Sequence, residues 1–388
     1  MSEAEIRRPL EGLRVLDLGH VYQVPYAGFL LAMAGADVVK VEPPDGEPLR
    51  ARILVSGGAS YPMIMLNASK RSIAIDLKRA EGRALFLELV AQADVLLENF
   101  SPGVMAKLGL GADTLLEINP RLIYASGTGY GLSGPDRDAL AMDLTIQATS
   151  GMMGSTGEAD RMPLKAGPAI TDFLSGTHVY GGIMTALYDR ERTGKGTKVE
   201  VAMIEAAFPA LASNLGVYYG DRSKTQPRNG NHHGGNAIAP YTVFETNDGY
   251  VAIICVTDRH WDHLTVAMGR EELMRDERFK DNKSRVAHID QTDAIVAEWT
   301  GKLSRHEVME IAREFRFPAA PVRGLDEVVA DAHMHARGAI FDIEHPQLGT
   351  IALTSSPIRL GNIPPLHASD LSELDADRDA IIAEWLGR

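Results

Sequence analysis

Short apolar runs broken by polar turns dominate the first third of the chain. Residues 13–18 read as a strand, Pro25 opens a helical run over 26–34 that stops at Gly35, and residues 37–42 read as a second strand. These three make a βαβ unit. The alternation continues with strand 73–77, helix 80–92, strand 94–97 and strand 122–125, which predicts a parallel sheet covered by helices, with ligands at the carboxyl ends of its strands. His20 to Gln23, Asn67 to Arg71, Asn99-Phe100 and Gly127 to Tyr130 then fall at strand ends or in the loops beside them.

Further on, Ala166-Gly-Pro-Ala-Ile-Thr-Asp172 leads into an amphipathic stretch that ends in Arg190-Glu-Arg-Thr-Gly194-Lys-Gly196. Apolar positions Phe173, Thr177, Tyr180, Met184 and Leu187 recur at steps of four and three, the spacing of a helix packed on a core. Asp172 is expected as its N-cap, with the helix dipole favouring the ionised carboxylate at neutral pH. Read locally, such an aspartate needs no role beyond capping.

Past residue 205 the texture changes. A polar run, 221–230, precedes Asn231-His-His-Gly-Gly-Asn236, and residues 241–255 read as two strands joined through Asn247-Asp248-Gly249. Helices are expected around 259–268, 289–302 and 305–315. The fold class is therefore α/β, a Rossmann-like large domain with a parallel sheet over residues 1–205, then a smaller α+β domain over 225–330. Residues 331–388 return to the large domain.

Composition narrows the functional classes. The 388 residues carry 39 basic and 52 acidic side chains, a formal charge of −13, which argues against nucleic acid or an anionic membrane as partner. No signal peptide or membrane-spanning run is read, and the one cysteine, Cys255, has no partner for an internal disulfide, so a cytoplasmic protein is expected. An anionic nucleotide would need a local cluster of cations, for which Lys40, Arg50, Lys70, Arg71 and Lys107 are candidates.

Five blocks carry a more specific signal: Gly12-Leu-Arg-Val-Leu-Asp-Leu18, Gly35-Ala-Asp-Val-Val-Lys-Val-Glu42, the segment from Leu66 through Lys70-Arg71 to Leu77, Glu98-Asn-Phe-Ser-Pro-Gly103, and Thr193 through Met203. Their order over roughly residues 10 to 360 resembles the class III CoA-transferases, the family of formyl-CoA transferase, carnitine CoA-transferase and α-methylacyl-CoA racemase. The resemblance implies a CoA-transferase that moves CoA from an acyl-CoA to a carboxylic acid, with Asp172 as nucleophile and covalent aspartyl intermediates. It implies CoA contacts at Val21, Lys70, Asn99, Phe100 and Lys107, with Arg71 added as a further candidate contact, and an interlocked, ring-like homodimer. No permanently bound cofactor is expected, the CoA thioester being a substrate. Tyr22, Tyr130, Gly234 and Gly235 are candidates for the substrate pocket or a lid.

A carboxylate suits this exchange, because its attack on a thioester gives an anhydride that keeps the acyl group activated, whereas a serine ester would trap it. The chain departs from the family pattern at Pro43 and Lys107, where transferases carry arginine, and at Thr128, where they carry lysine, and Arg50 and Arg71 are the candidates to compensate. Racemisation on the same fold is the alternative; it needs two proton carriers at the α-carbon, and Met142 stands where the racemases have histidine. A nicotinamide dehydrogenase is disfavoured because Val21 to Val24 occupy the place of a glycine-rich loop. His232-His233 and His333-x-His335 lack further ligands at metal spacing, so no metal is expected.

Overall fold

The computed structural model describes residues 7–51, 59–225, 228–361 and 363–388; positions 226 and 227 of the polar run lie outside the described residues. Six strands form one parallel sheet, β1 (Arg14–Asp17), β2 (Asp37–Glu42), β3 (Arg71–Ala74), β4 (Val95–Glu98), β5 (Ile123–Thr128) and β6 (Thr197–Ala202). Their order is β3-β2-β1-β4-β5-β6. Val15 pairs with Val38 on one side and Val95 on the other, so the winding reverses between β1 and β4. Chains leaving β1 and β4 diverge there and open a crevice at the carboxyl ends of the strands.

Burial on both faces explains the central strands. Val15, Leu16, Val95, Leu96 and Leu97 are all 0% exposed, the continuous apolar run that a covered parallel strand requires. β6 was not among the strands expected: as an edge strand its Thr197-Lys-Val-Glu-Val-Ala202 keeps polar side chains outward. β3 lies two residues earlier than the apolar run suggested.

Two helices pack against each other over the sheet: α1 (Gln23–Met33), buried along almost its whole length, and α3 (Ile170–Thr193), with α2 (Ala80–Gln92) where the sequence put it. The buried stripe of α3 is Thr171, Ser175, Gly176, Val179, Ile183, Ala186, Leu187 and Arg190, not the larger apolar positions expected; only Leu187 is common to both. Small side chains decide the face. A Cβ on Gly176 would lie 2.4 Å from the Gln23 carbonyl oxygen, so the helices meet at backbone distance. Arg190 is buried because it pairs with Asp94 at 3.0 Å and donates to the Arg121 carbonyl at 3.1 Å.

The C-terminal segment covers the outer edge of β3. Ser72 N donates to Asp377 at 2.8 Å and Ala74 N to Asp375 at 2.7 Å, closing main-chain donors that an edge strand leaves open. The following helix, Arg378–Leu386, buries Ile381 and Trp385.

Backbone contacts divide the chain into two units. One takes in the described residues up to Gln147 with Gly167–Ala207 and Val329–Arg388, and the other is Ala148–Ala166 with Phe208–Val328. The second unit holds the antiparallel sheet β7 (Tyr241–Thr246), β8 (Gly249–Ile254) and β9 (Ala319–Pro321), with helices Asp258–Ala267, Ile289–Thr300 and Arg305–Phe315 around Phe244, Val251, Trp261 and Val308. The hairpin turn is the one expected. Among the described residues no helix is long and apolar enough to cross a membrane.

Gly176→Ala tests the helix contact. Alanine gains up to about 1 kcal/mol in helix propensity, yet overpacking against Gln23 should leave a net loss of about 1–2 kcal/mol in urea unfolding. A neutral or stabilised variant would contradict the packing described.

Candidate active site

Two cavities lie at the switch point. The outer one, about 500 Å³, is walled by strand ends and the loops after them: Leu18 and His20 after β1, Glu42 to Asp45 after β2, Ile75 to Lys78 after β3, and Phe100, Val104 and Leu108 after β4. The inner one, about 400 Å³, is lined by His20, Val21, Gln23, Asn99, Phe100, Thr128, Met142, Met203 and Asp172 among others. His20 and Phe100 belong to both walls and pack edge to face at 4.9 Å. The cavities therefore adjoin at that pair.

Asp172 reaches the inner cavity from the first turn of α3, as its third residue; the N-cap is Ala169. The capping role expected of Asp172 belongs to Asp143. Its Oδ1 accepts from Thr171 N at 2.8 Å, Thr171 Oγ1 at 2.7 Å and, more weakly, Asp172 N at 3.4 Å, while Gln147 donates to Oδ2 at 2.6 Å. No described residue donates a hydrogen bond to the Asp172 carboxylate. Burial, and then the neighbouring charge of Asp143, push its pKa up to about 7. The helix dipole was expected to favour the ionised form at neutral pH; here desolvation outweighs it.

The loop between β1 and α1 is tied on several sides. Gly19 N donates to Asp17 at 2.7 Å, Lys40 donates to Gly19 O, and the Asn99 side chain both accepts from His20 N at 2.7 Å and donates to His20 O at 2.9 Å. Val21 follows at φ 64°, a rare conformation for a β-branched residue. No side chain caps α1, so its positive end faces the cavity through Val21 and Gln23. Burial, reinforced by Lys40, holds the His20 pKa down at about 4, so the ring is neutral at physiological pH.

The expected phosphate ligands fare differently. Lys70 is buried, and its ammonium gives its three donors to Asp17 at 2.7 Å, Pro25 O at 2.8 Å and Asn67 at 2.9 Å, so none remains for a phosphate. Arg71 starts β3, at the other end of the strand from the cavities, and pairs with Asp37 and Glu384. Arg50 is held bidentate by Glu42, at 2.6 and 2.7 Å, and does not take the place of a cation at Pro43. Lys107 is exposed at the end of the short helix Val104–Lys107, beside the outer wall. Lys78, on that wall, was missed: it stands one residue beyond the Leu66-to-Leu77 block, just past the carboxyl end of β3.

Val21, Asn99 and Phe100 do line the inner cavity, but the Asn99 amide is spent on His20. Tyr22 and Tyr130 are on neither wall; Tyr22 stacks on Phe173 at 5.9 Å. Gly234 and Gly235 belong to the second unit, where Gly235 N donates to His233 at 3.1 Å. Among the described residues no group of three His, Cys, Asp or Glu is placed to hold a metal.

The sequence profile of CoA-transferase family III matches residues 10–372. The chain is 35% identical to the succinyl-CoA–L-malate CoA-transferase beta subunit of Chloroflexus aurantiacus, over 98% of this chain and 94% of that one. It is 36% identical to the succinyl-CoA:mesaconate CoA-transferase of Haloarcula hispanica, over 97% and 96% of the two chains. The formyl-CoA:oxalate CoA-transferase of Streptomyces avermitilis is 35% identical, over 92% and 90%. Among solved structures, a CaiB/BaiF family protein from Brucella suis superposes with a TM-score of 0.85 at 35% identity, covering 98% of this chain and all of that one.

The raised pKa of Asp172 has a sign that stability measurements can read. The folded protein holds this proton up to about pH 7, whereas the unfolded chain releases it near 3.8, so stability falls as pH rises through that window and the penalty is complete above it. Asp172→Asn should therefore be more stable than the wild type at pH 8, on the order of 2 kcal/mol, with the difference vanishing near pH 4. Equal stability of the two proteins at pH 8 would contradict the burial described.

Proposed function

The chain belongs to CoA-transferase family III and is a CoA-transferase, and from that premise we propose that Asp172 carries the transfer through covalent intermediates in the inner cavity. One observation carries the proposal: a half-buried carboxylate to which no described residue donates a hydrogen bond stands in the first turn of a helix, in a cavity that adjoins a second one of nucleotide size. Its lone pairs are free to attack. The thioester would cross the His20–Phe100 junction, with the nucleotide in the outer cavity near Lys78 and Lys107.

Asp172 attacks the thioester carbonyl, the C–S bond breaks, and an acyl-aspartyl anhydride and CoA thiolate form. The thiolate then attacks the aspartyl carbonyl, releasing the first acid and leaving an aspartyl-CoA thioester. The acceptor carboxylate attacks that thioester to make a second anhydride, and the thiolate returns to the new acyl carbon and frees Asp172. One negative charge passes between carboxylate and thiolate throughout, so no general acid is needed. That fits a neutral His20 and the two helix N-termini at the cavity, which favour an anion wherever it resides.

Racemisation is not favoured. Met142 lines the cavity and has no proton to exchange, His178 is exposed and bonded to Leu174 O, and burial makes His20, which does line the cavity, a weak base. Several relatives are named for succinyl-CoA, which makes it the first donor to try. The proposal includes the interlocked homodimer and a cytoplasmic site of action; Leu140, Met162, Tyr219 and Leu325, each at least 74% exposed, are apolar surface that a second copy would cover.

The test is to mix the enzyme with acyl-CoAs, omit the acceptor, quench, and search Asp172 peptides for an acyl or CoA adduct. An adduct is expected that Asp172→Ala lacks, forming about tenfold faster per pH unit below 7 and levelling above it. Solvent deuterium entering the α-carbon with no adduct would favour racemisation instead. Lys78→Ala and Lys107→Ala should each weaken CoA binding about 3–10-fold in calorimetry at low salt. Changes under twofold in both would move the nucleotide elsewhere.

A further inference from the structure

We infer that Asn99 is a positioning residue, whose amide holds the His20 peptide so that Val21 keeps its left-handed backbone, and that it is not a ligand to the pantetheine arm. The inference rests on the reading of Asp172 as nucleophile.

The geometry is a closed pair. An asparagine side chain offers one carbonyl and one NH₂, and here the carbonyl takes His20 N–H at 2.7 Å while the NH₂ reaches His20 O at 2.9 Å. Both main-chain groups of one residue are satisfied by a side chain 79 positions away, in the manner of a strand bridge. Just past the β1–β4 ladder Leu18 N donates to Leu97 O at 2.8 Å, and the Asn99 clamp on His20 continues the pairing two residues beyond it.

Val21 gives the clamp its purpose. A φ of 64° costs a β-branched residue about 1–3 kcal/mol and persists only where the surroundings impose it. On one side the chain enters α1, whose Gln23 and Val24 are buried; on the other it is His20, fixed by Asn99. Without the clamp the Val21 peptide is free to relax to negative φ. That would turn the backbone on the cavity wall and the uncapped first turn of α1 away from the charge that develops at the thioester carbonyl. Such a loss falls on the transition state more than on bound CoA.

The test compares wild type, Asn99→Ala, Val21→Gly and the double variant by two readouts, the dissociation constant for free CoA and the single-turnover rate of Asp172 labelling at a saturating concentration of the acyl-CoA that labels best. For Asn99→Ala we expect the labelling rate to fall at least 30-fold with the CoA dissociation constant changed less than threefold. Adding Val21→Gly should recover at least fivefold of that rate, because glycine adopts positive φ at no steric cost. A dissociation constant that rises as much as the rate falls, or a double variant no faster than Asn99→Ala, overturns the inference. If Asn99→Ala does not stay folded, Asn99→Asp, which keeps an acceptor for His20 N–H, is read by the same split and the same rescue. A wild type that binds CoA yet never labels Asp172 overturns the covalent reading, and this inference with it.

Discussion

A buried ion pair holds the site to the fold. Asp17, the last residue of β1, meets Lys70 at 2.7 Å with both side chains fully enclosed. Burial alone would raise the carboxyl, but Lys70, Lys40 and the Gly19 N–H bring its pKa below the usual value. One oxygen of Asp17 thus holds Lys70, which also reaches Pro25 O in α1 and Asn67 before β3, while the other fixes Gly19 at the head of the active-site loop. A Cβ on Gly28 would sit 2.5 Å from Asp17, so α1 can lie this close only with glycine there. Removing one partner would leave a buried charge without its counterion, a loss of about 3–5 kcal/mol.

From this anchor the opposite electrostatic choice at Asp172 becomes intelligible. Asp17 is buried and paired, whereas Asp172 is half-buried and receives no hydrogen bond from any described residue. Asp143 takes over the capping of α3 that was expected of Asp172, and its charge adds to the displacement of the Asp172 pKa. On the proposed reading of Asp172, the fold gives up stability at one carboxylate to keep it available. A raised pKa also makes a better nucleophile once the proton is lost, which suits attack on a thioester near neutral pH.

Much of this was legible in the sequence where a single element decides the outcome. The βαβ opening, α2, the Asn247-Asp248 hairpin and the helices of the second unit follow from periodicity and turn chemistry, and the family blocks pointed to Asp172. What failed depended on tertiary partners. Lys70 and Arg71 look like solvated cations until Asp17 and Asp37 are found opposite them. The α3 stripe was read from its large apolar residues, whereas Ser175 and Gly176 were chosen by the approach of α1. Asp143 caps a helix whose first turn lies 28 residues away, a relation that no local pattern carries.

If Asp172 is the nucleophile, one of its oxygens takes part in bond making and breaking, and isotope transfer reads that directly. Turnover with an acceptor acid carrying ¹⁸O in its carboxylate should leave ¹⁸O in Asp172, because the bridging oxygen of the second anhydride comes from the acceptor and stays with the enzyme when CoA takes the acyl group. Label at Asp172 is expected to accumulate with successive turnovers and to be absent when CoA thioester is omitted. Transfer of CoA to the acceptor with no ¹⁸O at Asp172 would contradict it.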